Sequence, residues 1–255
     1  MPRIWITETI KPGFEKALNE NKMTAPVQLA YFSDVLCLWA YVSQIRLTEL
    51  KDQLGDNISI HQHFINVFGD TEKRIGQGWQ GRGGFIGYGD HVLDVCRSFP
   101  HVEVNRDVWK VCRPRSSAMG HLFLKSALLL ERDGLVSDER VAEYDDRTLF
   151  EELIWRVRCA FFEEARDVGR LPVLLDIAEE MRLPADAMVE QINNGAAMAA
   201  LCDDFEQKES YRLEGSPTYL LNDGRQKLYG NVGYRIVEAN VLELLESPKG
   251  QASWC

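Results

Sequence analysis

With 255 residues, 45% of them hydrophobic, the chain is long enough for one large domain or two small ones with buried cores. A formal net charge of −10 with no basic block argues against nucleic acid or an anionic membrane as partner. Met1 to Met23 carries charges throughout and has no apolar core segment, so it does not read as a secretory signal, and no apolar run approaches a membrane span. A cytoplasmic location is the expectation.

In chain order, residues 1–25 read as an N-terminal extension. Val27 to Phe32 is apolar and β-prone, a strand. Leu38 to Leu54 predicts a helix with Val42, Ile45, Leu47, Leu50 and Leu54 on its apolar side and Gly55 as the stop. Ile58, Ile60, Gln62 and Phe64 alternate with Ser59, His61 and His63, so a second strand follows. Residues 76–89 are glycine-rich with interspersed aromatics and read as a flexible surface loop or a lid; no phosphate-binding pattern fits them. From about 116 to 210 the spacing is helical: Leu149, Leu153, Val157 and Phe161 recur every four residues, and Pro172 suits a first helical turn. Pro217 to Leu221 is a strand, Asn222-Asp223-Gly224 a hairpin turn, Gln226 to Tyr229 its partner, and Tyr234 to Leu245 a closing helix. The two β-containing ends must meet in one sheet, because neither can bury its own face.

The residue that stands out is Cys37, in Ser33-Asp-Val-Leu-Cys37-Leu-Trp39-Ala-Tyr41. It lies where the first strand passes into the first helix. Unpaired N–H groups and the helix dipole there favour an anion, and a thiol becomes more acidic. A redox pair would need a second cysteine at position 40, and the chain has Ala40. None of the six cysteines forms a CxxC, and Cys96, Cys112, Cys202 and Cys255 read as inert or exposed thiols; His91, Cys96, Cys112 and His121 lack metal-site spacing.

The strand, Asp34-Val-Leu-Cys37-Leu-Trp39-Ala-Tyr41 and the helix after it resemble the active-site turn of DsbA-like thioredoxin-fold proteins, in particular the FrnE-like cytosolic branch, related to 2-hydroxychromene-2-carboxylate isomerases and kappa-class glutathione transferases. Phe161-Phe-Glu-Glu-Ala-Arg166-Asp167 with Leu174-Leu-Asp-Ile-Ala-Glu-Glu resembles their helical domain, and Glu214-Gly-Ser216-Pro217-Thr218 their cis-proline turn. The resemblance implies an α/β fold, a thioredoxin-like sandwich (26–70 and 211–247) interrupted by an α-helical insertion (71–210), with a C-terminal tail at 248–255. It implies that Cys37 is catalytic and that Trp39, Asn66, Ser216, Pro217 and Asn231 contact the substrate or glutathione. Val232 after Asn231 departs from the relatives' usual Asp. No tightly bound cofactor or metal is expected, with glutathione as cosubstrate.

Three readings follow. In the first, Cys37 forms a mixed disulfide with a small or protein thiol, and an external thiol resolves it. In the second, a glutathione-dependent transferase or isomerase, Cys37 holds the glutathione thiolate while an organic substrate sits near Trp79 and Phe85. In the third, the fold is a redox-inactive binding or scaffold protein. The resemblance also implies a homodimer. His61, His63, Arg113 and Arg115 read as satisfied or solvated side chains, and the direction of Asp34 is left open.

Overall fold

The computed structural model describes residues 25–246. The expected N-terminal extension up to residue 24, and the tail with Cys255, lie outside the described residues. β1 (Val27–Ser33) runs into α1 (Leu38–Leu54), and β2 (Ile58–Phe64) follows. Helical turns at Glu72–Gln77 and Gln80–Arg82 lead to α2 (Gly84–Cys96). Then come α3 (Ala118–Arg132), α4 (Leu149–Phe162), α5 (Leu171–Glu180), α6 (Ala185–Asn193) and α7 (Ala196–Ser210). β3 (Thr218–Leu221), β4 (Gln226–Tyr229) and α8 (Tyr234–Glu246) end the described chain.

The four strands form one sheet in the order β2-β1-β3-β4. β1 pairs parallel with β2, Val27 opposite Ile58 through Ser33 opposite Phe64. It pairs antiparallel with β3, Leu29 opposite Leu221. A central strand has no free edge and little wet face, which is why Val27–Ser33 reads as a near-continuous apolar run. The two β-containing segments meet here, as the sequence required.

One sheet face carries Val27, Leu29 and Tyr31 against Leu47, Leu50 and Leu54 of α1 and Val237, Val241 and Leu244 of α8. The largest core lies elsewhere. It joins the 35–42 segment to Trp109, Phe123, Phe161 and Phe162 of the helical region. The turn after β1 is thus clamped by the helices inserted between β2 and β3. Local signals set those helices. Thr148 and Glu151 close a reciprocal capping box at the start of α4, and Pro172 sits in the first turn of α5.

Two sequence expectations are corrected. The glycine-rich stretch is not a loose loop: it folds into tight helical turns and the start of α2. A Cβ at Gly87 would lie 1.7 Å from the Arg82 carbonyl oxygen, so glycine there permits close packing. Trp79, Phe85 and Tyr88 are drawn in by aromatic contacts, including those with Trp109. Ile45 is not on the buried side of α1 but half exposed, at 51%.

Candidate functional site

Cys37 is the N-cap residue of α1, extended in backbone conformation, and its carbonyl accepts from Ala40 and Tyr41 N–H. The strand-to-helix junction is therefore where the sequence placed it. The thiol faces the Ser216–Pro217 bend before β3, whose peptide bond is cis. Cys37 Sγ donates to the Ser216 carbonyl oxygen at 3.3 Å. Only 4% of Cys37 is exposed, yet it borders a cleft of about 410 Å³. Trp39, Asn66, Tyr88, His91 and Ser216 share that cleft, with Arg74, Lys208, Glu214 and Tyr229 also on its wall.

Burial pushes the Cys37 thiol up. The Ser216 side-chain hydroxyl and the N–H groups of Ala40 and Trp39 pull it back, while Asp34 adds to the rise. The resting group is a protonated thiol at the mouth of a cleft, with three stabilising contacts for a thiolate nearby. Two half-buried thiols are less acidic than usual as well: burial raises Cys96 to about 11 and Cys112 to about 12.

Asp34 is held by two backbone N–H groups and a hydroxyl. Its carboxylate accepts from Leu36 N–H at 2.9 Å, Phe68 N–H at 2.7 Å and the Ser117 hydroxyl at 2.8 Å. One carboxylate thus ties the Cys37 turn to the exit of β2 and to the start of α3. Behind it, Val35 N–H donates to His121 Nε2 at 3.2 Å. Neither Ser117 nor His121 carried a sequence signal, because both act across more than eighty residues.

Ser216 contributes more than its backbone. Its hydroxyl accepts from Asp34 N–H at 2.9 Å, so it clips the proline bend to the end of β1. A Cβ at Gly215 would approach the Tyr229 hydroxyl to 3.0 Å; glycine lets Tyr229 close against the bend.

Of the sequence candidates, Cys37, Trp39, Asn66 and Ser216 meet at the cleft, and Pro217 adjoins it. Asn231 does not. It is exposed in the turn after β4, and Tyr229 reaches the cleft wall instead. Trp79 and Phe85 stand outside the lining: Trp79 packs edge-on to Tyr88, and Phe85 stacks near Trp109. The cleft residues that sequence reasoning missed include Arg74, Tyr88, Lys208 and Tyr229. Each comes from a different segment, so no local pattern could have grouped them. His61 and His63 are satisfied by Gln28 and Asp204, and Arg113 donates to the Trp109 carbonyl, as their bland readings required.

No family model matches the chain, and no curated protein does. Solved structures do. A probable DsbA oxidoreductase from Streptomyces coelicolor superposes with a TM-score of 0.63 at 14% identity, over 90% of this chain and 94% of that one. The cytosolic disulfide reductase DsbM from Pseudomonas aeruginosa, also solved with GSH, gives 0.59 at 20% identity over 85% and 99%. A 2-hydroxychromene-2-carboxylate isomerase gives 0.54 at 14% identity over 89% and 100%. Among the described residues no helix is long and apolar enough to cross a membrane. At these identities the similarity speaks for architecture: the chain has a DsbA-like thioredoxin fold, an α/β sandwich interrupted by a helical insertion.

Proposed function

We propose that the protein is a monothiol thiol–disulfide oxidoreductase that works through Cys37. The observation that carries this reading is the lone sulfur, 3.3 Å from the Ser216 carbonyl at the cis-proline bend, on the wall of an open cleft. Such a bend presents main chain to an extended substrate beside the sulfur. In the first step the Cys37 thiolate attacks one sulfur of a substrate disulfide. A new S–S bond forms to Cys37, the substrate S–S bond breaks, and the released thiolate takes up a proton. An external thiolate then attacks the mixed disulfide, restores the Cys37 thiolate and leaves as a new disulfide. Ala40 makes the second thiol external, since no cysteine stands one helical turn away.

Arg74, His91 and Lys208 on the cleft wall suit a small acidic thiol, so glutathione is the proposed partner. A cytosolic setting, where glutathione is kept reduced, matches that cycle. The similarity to the GSH-containing DsbM structure is consistent with both points.

The raised Cys37 thiol gives the transferase or isomerase reading its own support. A protonated thiol can donate a hydrogen bond to a glutathione thiolate without exchanging sulfur. One experiment separates the readings. Incubation with oxidised glutathione, followed by intact-mass and peptide analysis, is expected to give one glutathione adduct on Cys37, reversed by reduced glutathione and absent in C37S. No adduct on Cys37, with thermal stabilisation by reduced glutathione retained in C37S, turns the assignment to the second reading. Neither response leaves the scaffold reading.

A further inference from the structure

Behind the Cys37 turn lies a charge that the exchange chemistry above does not use. Arg158 of α4 is fully buried, at 0% exposure. Its guanidinium donates to Ser33 Oγ at 2.9 Å and to the Ala40 carbonyl at 3.4 Å, and it also donates to Gln44 Oε1. Those partners bracket the sulfur: Ser33 ends β1, four residues before Cys37, while Ala40 and Gln44 lie on the first two turns of α1. All three are neutral. Among the described residues no carboxylate comes within ion-pair distance of Arg158, and its Nε has no partner.

A buried guanidinium without a counter-ion is costly, and a neutral side chain of similar length is often as stable or more so. A cation kept in such a place is well set to stabilise negative charge that appears there only during reaction. Burial depresses Arg158 from its ordinary range, and the groups whose negative charge would hold its proton are Tyr31, Cys37, Asp34 and Cys159. Of these, Cys37 is the one that opens on the cleft, whereas Tyr31 is sealed in the sheet face.

Resting on the reading of Cys37 as nucleophile, we propose that Arg158 is the positioning residue for its thiolate: it clasps both flanks of the turn and supplies, from inside, the positive charge that offsets Asp34. The helix N-terminus acts on the same sulfur. Tyr31 on β1 and Tyr88 on α2 couple to it as well, and Arg74 after β2, His91 on α2, Lys208 on α7, Glu214 before β3 and Tyr229 on β4 share its cleft, while His121 on α3 stands 3.7 Å from Asp34 and Cys159 on α4 lies near Arg158. Those at the cleft mouth are screened by water, whereas Arg158 is not.

The test is the pH profile of Cys37 alkylation by iodoacetamide, read on the Cys37 peptide by mass spectrometry so that the other thiols do not contribute. In R158M the midpoint is expected to rise by about one pH unit or more, a rate roughly tenfold lower near neutrality, with the high-pH plateau unchanged. R158K keeps the charge and is expected to hold the midpoint within about half a unit of the native protein. R158M replaces an unpaired buried charge with an apolar chain of similar reach and is expected to fold. An unchanged midpoint in folded R158M, or equal slowing at every pH, overturns the inference. If R158M does not fold, R158Q, which keeps hydrogen bonding but removes the charge, takes its place: a midpoint raised by about one unit upholds the inference and an unchanged one overturns it. If native Cys37 itself resists alkylation across the whole range, the underlying reading of the sulfur fails instead.

Discussion

Two hollows meet the chain along β2 and its exit, and they differ in what their charges are free to do. The groove beside β2 is the larger, about 550 Å³, against about 410 Å³ at Cys37. Its cations are engaged internally. Lys51 pairs with Glu151, and Lys125 and His63 both bond Asp204, which also accepts from Phe64 N–H at 2.7 Å. At the Cys37 cleft, Arg74 rests on the Phe68 ring, and Lys208 has an exposed neighbour, Glu209. Exposed pairs of that kind are worth about 0–1 kcal/mol, so an incoming anion competes with them easily. Size alone does not tell them apart; loosely held charge beside the Cys37 thiol marks one as the proposed site and the other as a structural joint.

Breaking the joint gives the largest effect. Lys125→Met leaves the buried Asp204 carboxylate with only His63 and Phe64 N–H as partners and is expected to cost about 3 kcal/mol in urea unfolding. The rate of Cys37 adduct formation should stay unchanged in the folded fraction. A drop in that rate would mean the two hollows are coupled after all. Ser216→Ala removes the acceptor for Asp34 N–H and is expected to lose about 1–3 kcal/mol, measured the same way. Unlike Lys125→Met, it should also slow the adduct several-fold, because it loosens the bend opposite the sulfur.

Glu131 on the groove wall sharpens the contrast through pH. Burial, then Asp138 and Glu151, push its carboxyl up to about 7. Its folded value lies above the ordinary carboxylate value of 4.5, so the stability it allows is complete below about 4.5 and is lost as pH rises through about 7. Glu131→Gln should therefore stabilise the protein at pH 8, by about 1 kcal/mol after allowance for its solvent exposure, and leave it unchanged at pH 4. The smallest effect belongs to the cleft rim. Arg74→Gln or Lys208→Gln is expected to slow exchange with oxidised glutathione a few-fold, about 0.5–1 kcal/mol each, and to spare a neutral disulfide. Added salt should erase that difference.

The elements around Cys37 were legible because their signals are local. Period-two alternation marked β2, Asn222-Asp223-Gly224 marked the β3–β4 turn, and the stop at Gly55 holds with that residue at a φ of 50°. The glycine-rich stretch was misread because glycine permits close approach as well as freedom, and only the Arg82 carbonyl against Gly87 tells which applies. Within the site, Cys37 was visible as a residue type at a junction, while the Pro217 bend was carried by the resemblance. The Asp34 bonds to Phe68 and Ser117, the Ser216 clip and the Arg158 clasp were not, since each spans between 34 and 182 positions. Long-range polar pairs leave no periodic trace in one sequence. Asn231 was carried by resemblance alone, and Tyr229 occupies the wall instead.

The Ser216 clip also has a meaning for biosynthesis. Asp34 and Ser216 are joined at 2.9 Å but separated by 182 positions, and β1 cannot pair with β3 until residue 221 has been made. A ribosome therefore carries Cys37 through about 180 further residues without the bend that will face it, and closing so distant a contact is slow. During that interval the thiol lacks its Ser216 partner, and a growing polypeptide of this design has reason to keep company with chaperones until residues 216–221 emerge.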